Sequence, residues 1–144
     1  MYQRILLPTD GSESAHAALD HALDIARQYD AELHVLHVVS AAYAEGGPGH
    51  ATAVEALEEH GEETFERIRE RTEALDVETA CEQRHGEPHA VIVEYADDAD
   101  CDLTVMGTHG RTGLQRYLLG SVTEKVVRTS DVPVLTVRHG GSGE

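Results

Sequence analysis

The sequence predicts an α/β fold built on a parallel sheet, and three observations predict it. Short apolar runs suited to strands alternate with longer stretches of helical periodicity, in the order strand, helix, strand, helix, strand, helix, strand, helix, strand. Runs such as Ile5-Leu-Leu7 and Leu103-Thr-Val-Met106 are apolar on successive residues, as strands covered on both faces must be. The 144 residues suffice for one domain with a real core and fall short of two. The domain is expected over residues 1–139, followed by a flexible tail over 140–144 that contains Gly140-Gly-Ser-Gly143.

The first strand, Arg4-Ile-Leu-Leu7, is ended by Pro8, and Thr9-Asp-Gly-Ser12 is a turn. From Ala15 the residues Ala15, Ala18, Leu19, Ala22, Ile25, Ala26 and Tyr29 recur at helical spacing, with Ser12 or Ser14 as N-cap. Their small size lets the helix lie close to a sheet. Glu32–Val39 is the second strand, in which side-chain alternation sends His34 and His37 to opposite faces, so they cannot form one metal pair. Ser40–His50, with three glycines and a proline, is a loop and the candidate lid.

A long helix follows, from about Ala51 to Leu75, with Val54, Leu57, Phe65, Ile68, Thr72 and Leu75 on one face. Its glutamates repeat at i,i+4 with one another more often than with arginine, which makes a solvated face and not a carboxylate active site. Val77–Arg84 is too polar for the middle of a parallel sheet and belongs at an edge. Pro88 suits the first turn of the next helix, whose buried side carries Ile92, Tyr95, Ala96 and Ala99. The aspartates around Cys101 lack the order of a calcium loop. After Leu103–Met106 come a glycine-rich stretch, a helix over Ser121–Thr129 and a last strand over Val132–Val137.

Charge narrows the function. The formal net charge is −16, and only one of the 11 basic residues is lysine. Such a surface argues against nucleic-acid and anionic-membrane partners. The chain starts in apolar strand residues without a signal-peptide pattern, so a cytoplasmic location is expected. Cys81 and Cys101 are too far apart for a CxxC pair and read as two buried, reduced thiols.

Against this acidic background, Gly107 to Thr123 stands out. Between Gly107 and His139 the cations Arg111, Arg116, Lys125, Arg128 and Arg138 face only Glu124 and Asp131. Glycines between a strand end and a helix start leave N–H groups uncovered where the helix dipole is positive, a setting for phosphate. The spacing of Gly107, Gly110 and Gly113 is GxxGxxG, neither the dinucleotide fingerprint nor a P-loop. A structural alternative is a loop closed by a capping box of Ser121 and Glu124.

On Leu7-Pro-Thr-Asp-Gly-Ser12, Leu36-His-Val-Val39 and Gly107-x2-Gly110-x9-Gly120-Ser121, the chain resembles the universal stress protein family, in its ATP-binding branch, over nearly its whole length. The resemblance implies a Rossmann-like, adenine nucleotide alpha hydrolase-like sheet of order 3-2-1-4-5 with helices on both faces. It implies ATP, with Mg or Mn, between the first and fourth strands, where strand order reverses. Pro8, Thr9 and Asp10 would meet the nucleotide from the first strand, Asp10 reaching a metal indirectly through the phosphates. The Val38 backbone would bind adenine. Met106 and Gly107 would line the ribose, Gly110 and Arg111 would approach the phosphates, and Gly120, Ser121, Val122 and Thr123 would hold them by N–H and hydroxyl groups. Asp10 could equally do no more than close an Asx-turn.

No catalytic residue is assigned, His109 being a loop histidine of the kind usually just exposed. The implied function is a nucleotide-dependent regulatory or stress-response protein. The alternatives are a slow metal-dependent ATP hydrolase and a dimeric interaction module without nucleotide. A homodimer through Val132–Val137 is expected, because a bare apolar edge strand invites pairing.

The lysine-poor, acidic composition suits a halophilic source, since salt screens the self-repulsion of such a surface. The melting temperature is therefore expected to rise as KCl is increased from 0.1 M to a few molar; thermal scans showing no rise would refute the assignment.

Overall fold

The computed structural model describes residues 1–40, 50–108 and 120–138. Most of the candidate lid, with His109, Gly110, Arg111 and the 140–144 tail, lies outside the described residues. The elements are β1 (Arg4–Pro8), α1 (Glu13–Tyr29), β2 (Glu32–Ser40), α2 (His50–Ala74), β3 (Thr79–Gly86), α3 (Pro88–Asp98), β4 (Leu103–Gly107), α4 (Ser121–Thr129) and β5 (Val134–Val137). The five strands form one sheet in the order β3-β2-β1-β4-β5, with every pairing parallel. The polar strand β3 is at an edge, as its sequence requires.

Two cores sandwich the sheet. Ile5 and Leu7 of β1 pack with Leu33, Val35, Leu103 and Val105 under α1 and α2, where Ala18, Leu19, Ala22, Leu23, Phe65 and Ile68 are buried. Leu6, on the opposite face of the same strand, joins Leu36 and Met106 under Val91, Ile92 and Tyr95 of α3 and Val126 of α4. The continuous apolar run of β1 is thus used on both sides, which is what a central parallel strand demands. His34 and His37 separate as alternation requires: His34 Nδ1 bonds the Tyr95 hydroxyl on the α3 side, while His37 lies edge-on to His60 of α2.

Ser12 is the N-cap of α1, its hydroxyl accepting the Ala15 N–H at 3.2 Å. On this helix Leu23 is buried although it was not among the expected core positions, and Tyr29 is exposed, edge-on to Tyr2. The last strand begins at Val134 rather than Val132. The Ser130 hydroxyl donates to the Val132 carbonyl and accepts its N–H, forming a turn, and Pro133 has no N–H for the ladder.

Both cysteines are free thiols, but only Cys101 is fully buried. Burial pushes Cys101 up to about 11 and raises Cys81 as well. Cys81 is half-buried because its strand is an edge. No described helix is long and apolar enough to cross a membrane.

Candidate functional site at the carboxyl edge of the sheet

The site arises from unequal strand lengths. β1 pairs with β2 only as far as Pro8 and Leu36, whereas β2 continues beside β3 to Ser40 and Gly86. On the other side β1 pairs with β4 only at Ile5–Leu103 and Leu6–Thr104, although β4 continues beside β5 to Gly107 and Val137. A notch therefore opens at the carboxyl end of β1, between two longer strands, at the point where strand order reverses. Proline is a suitable last residue here: Pro8 brings no N–H that would need a partner in β4.

The left wall is β2. The Leu36 carbonyl faces β1 and accepts the Thr9 N–H at 2.9 Å. Backbone direction alternates with period two in a strand, so the N–H and C=O of Val38 face the same way, past the end of β1. Val38 thus presents a donor and an acceptor to the notch, the pair an adenine edge can use.

The floor is the turn after β1. Thr9 Oγ1 accepts the Gly11 N–H at 3.1 Å and Asp10 Oδ1 accepts the Ser12 N–H at 2.9 Å. Asp10 therefore does close an Asx-turn, and Gly11, at φ +80°, supplies the left-handed step that the turn needs. The Asp10 carbonyl is held from outside the turn by His60 Nε2 at 2.9 Å.

The right wall is β4 and the start of α4. The Thr108 N–H extends the β5 ladder by donating to Val137 O, and the Thr108 carbonyl accepts the Gly120 N–H at 2.6 Å. The two ends of the segment between Thr108 and Gly120 are thereby tied together. Gly120 is the N-cap of α4 and makes no side-chain cap, so the capping-box alternative is not realised and Ser121 is the first helical residue. With a glycine at the cap, the first-turn N–H groups of Ser121, Val122 and Thr123 have no side-chain acceptor at the cap position. Amides of this kind, at the positive end of the helix dipole, are suited to an anion.

Some expected site residues have structural duties too. Gly107 permits close contact between β4 and α1: a Cβ there would lie 2.7 Å from the Ser14 carbonyl oxygen and would also meet Ser14 Oγ. The buried Thr123 hydroxyl donates to Gly107 O at 2.8 Å, seating α4 on the strand end, so its proton is committed within the fold. Met106 is buried in the α3–α4 core. Arg128 pairs with Glu124 at 3.1 Å along α4. Among the described residues no group of three His, Cys, Asp or Glu is placed to hold a metal.

Sequence reasoning missed His60, Gly61 and Thr64, which bring α2 over the notch. Gly61 falls on the apolar stripe of α2, and a Cβ there would lie 2.5 Å from His37 Nδ1. A glycine inside a helical stripe was the available signal of close approach.

A model of the universal stress protein family matches residues 1–138. The chain is 39% identical to universal stress protein MJ0531 of Methanocaldococcus jannaschii, over 96% of this chain and 83% of that one. The solved structure of protein MJ0577 of the same organism superposes with a TM-score of 0.87 at 35% identity and 99% coverage of both chains. A universal stress protein solved in complex with cAMP superposes with a TM-score of 0.65 at 32% identity, over 96% of this chain and 98% of that one.

The contacts at Gly107 predict a stability cost. Gly107→Ala forces a Cβ against backbone atoms of Ser14 and should destabilise the fold by about 1–3 kcal/mol. Thr123→Val leaves the Gly107 carbonyl without its donor, at a cost of about 1–2 kcal/mol, while Thr123→Ser keeps most of the stability. Urea unfolding midpoints check all three, and unchanged midpoints for Gly107→Ala and Thr123→Val would contradict the packing described.

Proposed function

The chain belongs to the universal stress protein family, and we propose that it is an ATP-binding regulatory protein whose nucleotide lies in the notch at the end of β1. The observation that carries this reading is the convergence at one strand-order reversal of an outward-facing Val38 backbone and an α4 N-terminus capped by glycine. The first feature suits adenine and the second suits phosphate. The similar protein solved with cAMP supports an adenine nucleotide as the ligand class.

In this reading Val38 binds the base through its backbone, and Pro8, Thr9 and Asp10 form the floor under the ribose. Met106 and Gly107 shape the right wall mainly through packing. Gly120, Ser121, Val122 and Thr123 hold the phosphates by backbone N–H groups, with the Ser121 hydroxyl in addition, and Gly110 and Arg111 approach them from the intervening segment. A divalent cation, Mg or Mn, would be held by the phosphates and reached by Asp10 through water.

Gly120→Asp tests the site without confusing binding with folding. Gly120 has φ −63° and ψ 156°, open to any residue, and Asp is a favourable N-cap. Its carboxylate would occupy the anion position and repel phosphate. Nucleotide released from the denatured protein, and calorimetric titration of the stripped protein with ATP and magnesium in high salt, should show ATP bound by the wild type. The variant should bind about tenfold or more weakly, with an undiminished melting temperature. Steady phosphate release would instead favour the hydrolase, and no binding at millimolar ATP would favour the interaction module.

The unpaired edge of β5 supports a homodimer. Val134, Leu135 and Thr136 are only half-buried, and among the described residues β5 pairs with β4 alone. Sedimentation at micromolar protein should show a dimer, and Leu135→Lys should shift it to monomer. A wild type that remains monomeric well above that concentration would exclude this contact.

A further inference from the structure

The side chains around the notch include one set that neither the sequence motif nor the proposed ligand contacts use. On α2, His60, Gly61 and Thr64 face the ends of β1, β2 and β3. His60 Nε2 lies 2.9 Å from the Asp10 carbonyl oxygen. A carbonyl oxygen only accepts, so Nε2 carries the proton. The imidazole also occupies the space beside Gly11: a Cβ on Gly11 would meet the ring and come within 3.0 Å of Thr64 Oγ1. The left-handed step of the turn is thus pressed against α2. Thr64 donates its own hydroxyl to the His60 carbonyl at 2.9 Å, a bond within the helix that leaves the His60 ring to serve the turn.

Behind His60 the packing continues through polar groups of fixed direction. Its ring is edge-on to His37, with centroids 6.1 Å apart. Gln83 Nε2 donates to Glu58 O and Glu62 Oε2, so Gln83 Oε1 accepts and His37 Nδ1 is the donor at 2.9 Å. His37 is buried, and Gly61 leaves just enough room for this bond. The imidazole of His60 is therefore backed by a ring whose own orientation is set by β3.

We propose that His60 is a positioning residue of the nucleotide site: it acts through the Asp10 carbonyl to hold the Thr9–Ser12 turn, and so links the seating of α2 to occupancy of the notch. This inference rests on the reading that the notch binds an adenine nucleotide. Thr9 ties the turn to β2 and Ser12 ties it to α1, while His60 fixes the peptide between them. Asp10 and Gly11 stand where the ribose and phosphates would pass, so a turn free to rotate its Asp10–Gly11 peptide would meet the ligand in several conformations. A preformed turn avoids that ordering cost on binding. By linkage, a ligand that favours the held turn also favours docked α2.

The test compares His60→Gln, whose side-chain amide reaches the position of Nε2 and still donates, with His60→Asn, which is too short. ATP titration of the stripped proteins should show the Gln variant within about twofold of wild type and the Asn variant about five- to tenfold weaker. Hydrogen exchange should show that ATP slows exchange in residues 57–65 of the wild type and the Gln variant, and much less in the Asn variant. Equal affinities for all three proteins, or equal loss in both variants, would overturn the proposal while leaving the nucleotide site standing. No ATP binding by the wild type would remove the site reading and this inference together. If the Asn variant does not fold, nitrogen-15 spectra of wild-type His60 decide the matter. An Nε2–H resonance that shifts on ATP saturation supports the proposal, and one that does not shift overturns it.

Discussion

The structure depends on β1 stopping at Pro8 while its neighbours continue. A central parallel strand is normally bonded on both edges along its length, and its carboxyl end must stop somewhere that the neighbouring backbones tolerate. Here the stop is a residue with no N–H, followed by a turn that satisfies its own amides through Thr9 Oγ1 and Asp10 Oδ1. Beyond it, β2 and β4 keep their outer partners, with the Val38 backbone of β2 turned toward the notch and the Gly107 carbonyl of β4 taken by the Thr123 hydroxyl. The notch is thus an unfilled position in the hydrogen-bond pattern of the sheet. Its polar groups are fixed because their strands remain paired on the far side.

The walls are held by unusually close contacts, and glycines make them possible. Gly107 admits the α1 backbone at Ser14, Gly11 admits the His60 ring, and Gly61 admits the His37–Gln83 bond. Two of these three lie on the border between the core and the notch. Packing and site geometry are consequently the same feature at these positions, and a methyl group added for either reason would disturb both. The Thr123 hydroxyl illustrates the same economy from the other side, since it seats α4 on Gly107 and so aims the helix N-terminus at the notch.

A chain with a formal net charge of −16 would be an unusual host for the anion proposed above. Long-range attraction cannot bring phosphate to it. What the described residues provide is short-range: uncapped amides at the start of α4 and the dipole behind them. Arg128, part of the locally basic stretch, is engaged with Glu124 on the helix surface. Backbone groups do not change the net charge and are little affected by salt at contact distance.

Much of this was legible in the chain itself. Apolar runs of period one set the buried strands, the alanine-rich 3.6-residue stripe set α1, the polar alternation of Val77–Arg84 set an edge, and the glycine spacing marked the strand-to-helix junction after β4. These are local properties, written in side chains a few residues apart, and the family resemblance supplied the strand order. The start of β5 was misjudged by two residues because apolarity was visible and the Ser130–Val132 turn was not. Tertiary structure alone decided that Gly107 faces Ser14, that Thr123 gives its proton to Gly107, and that His60 holds Asp10 from 50 positions away in the chain. Such contacts depend on how closely two elements approach and on how a side chain turns at the meeting point. No periodicity records either quantity, because both are set jointly by residues that become neighbours only after the sheet has formed.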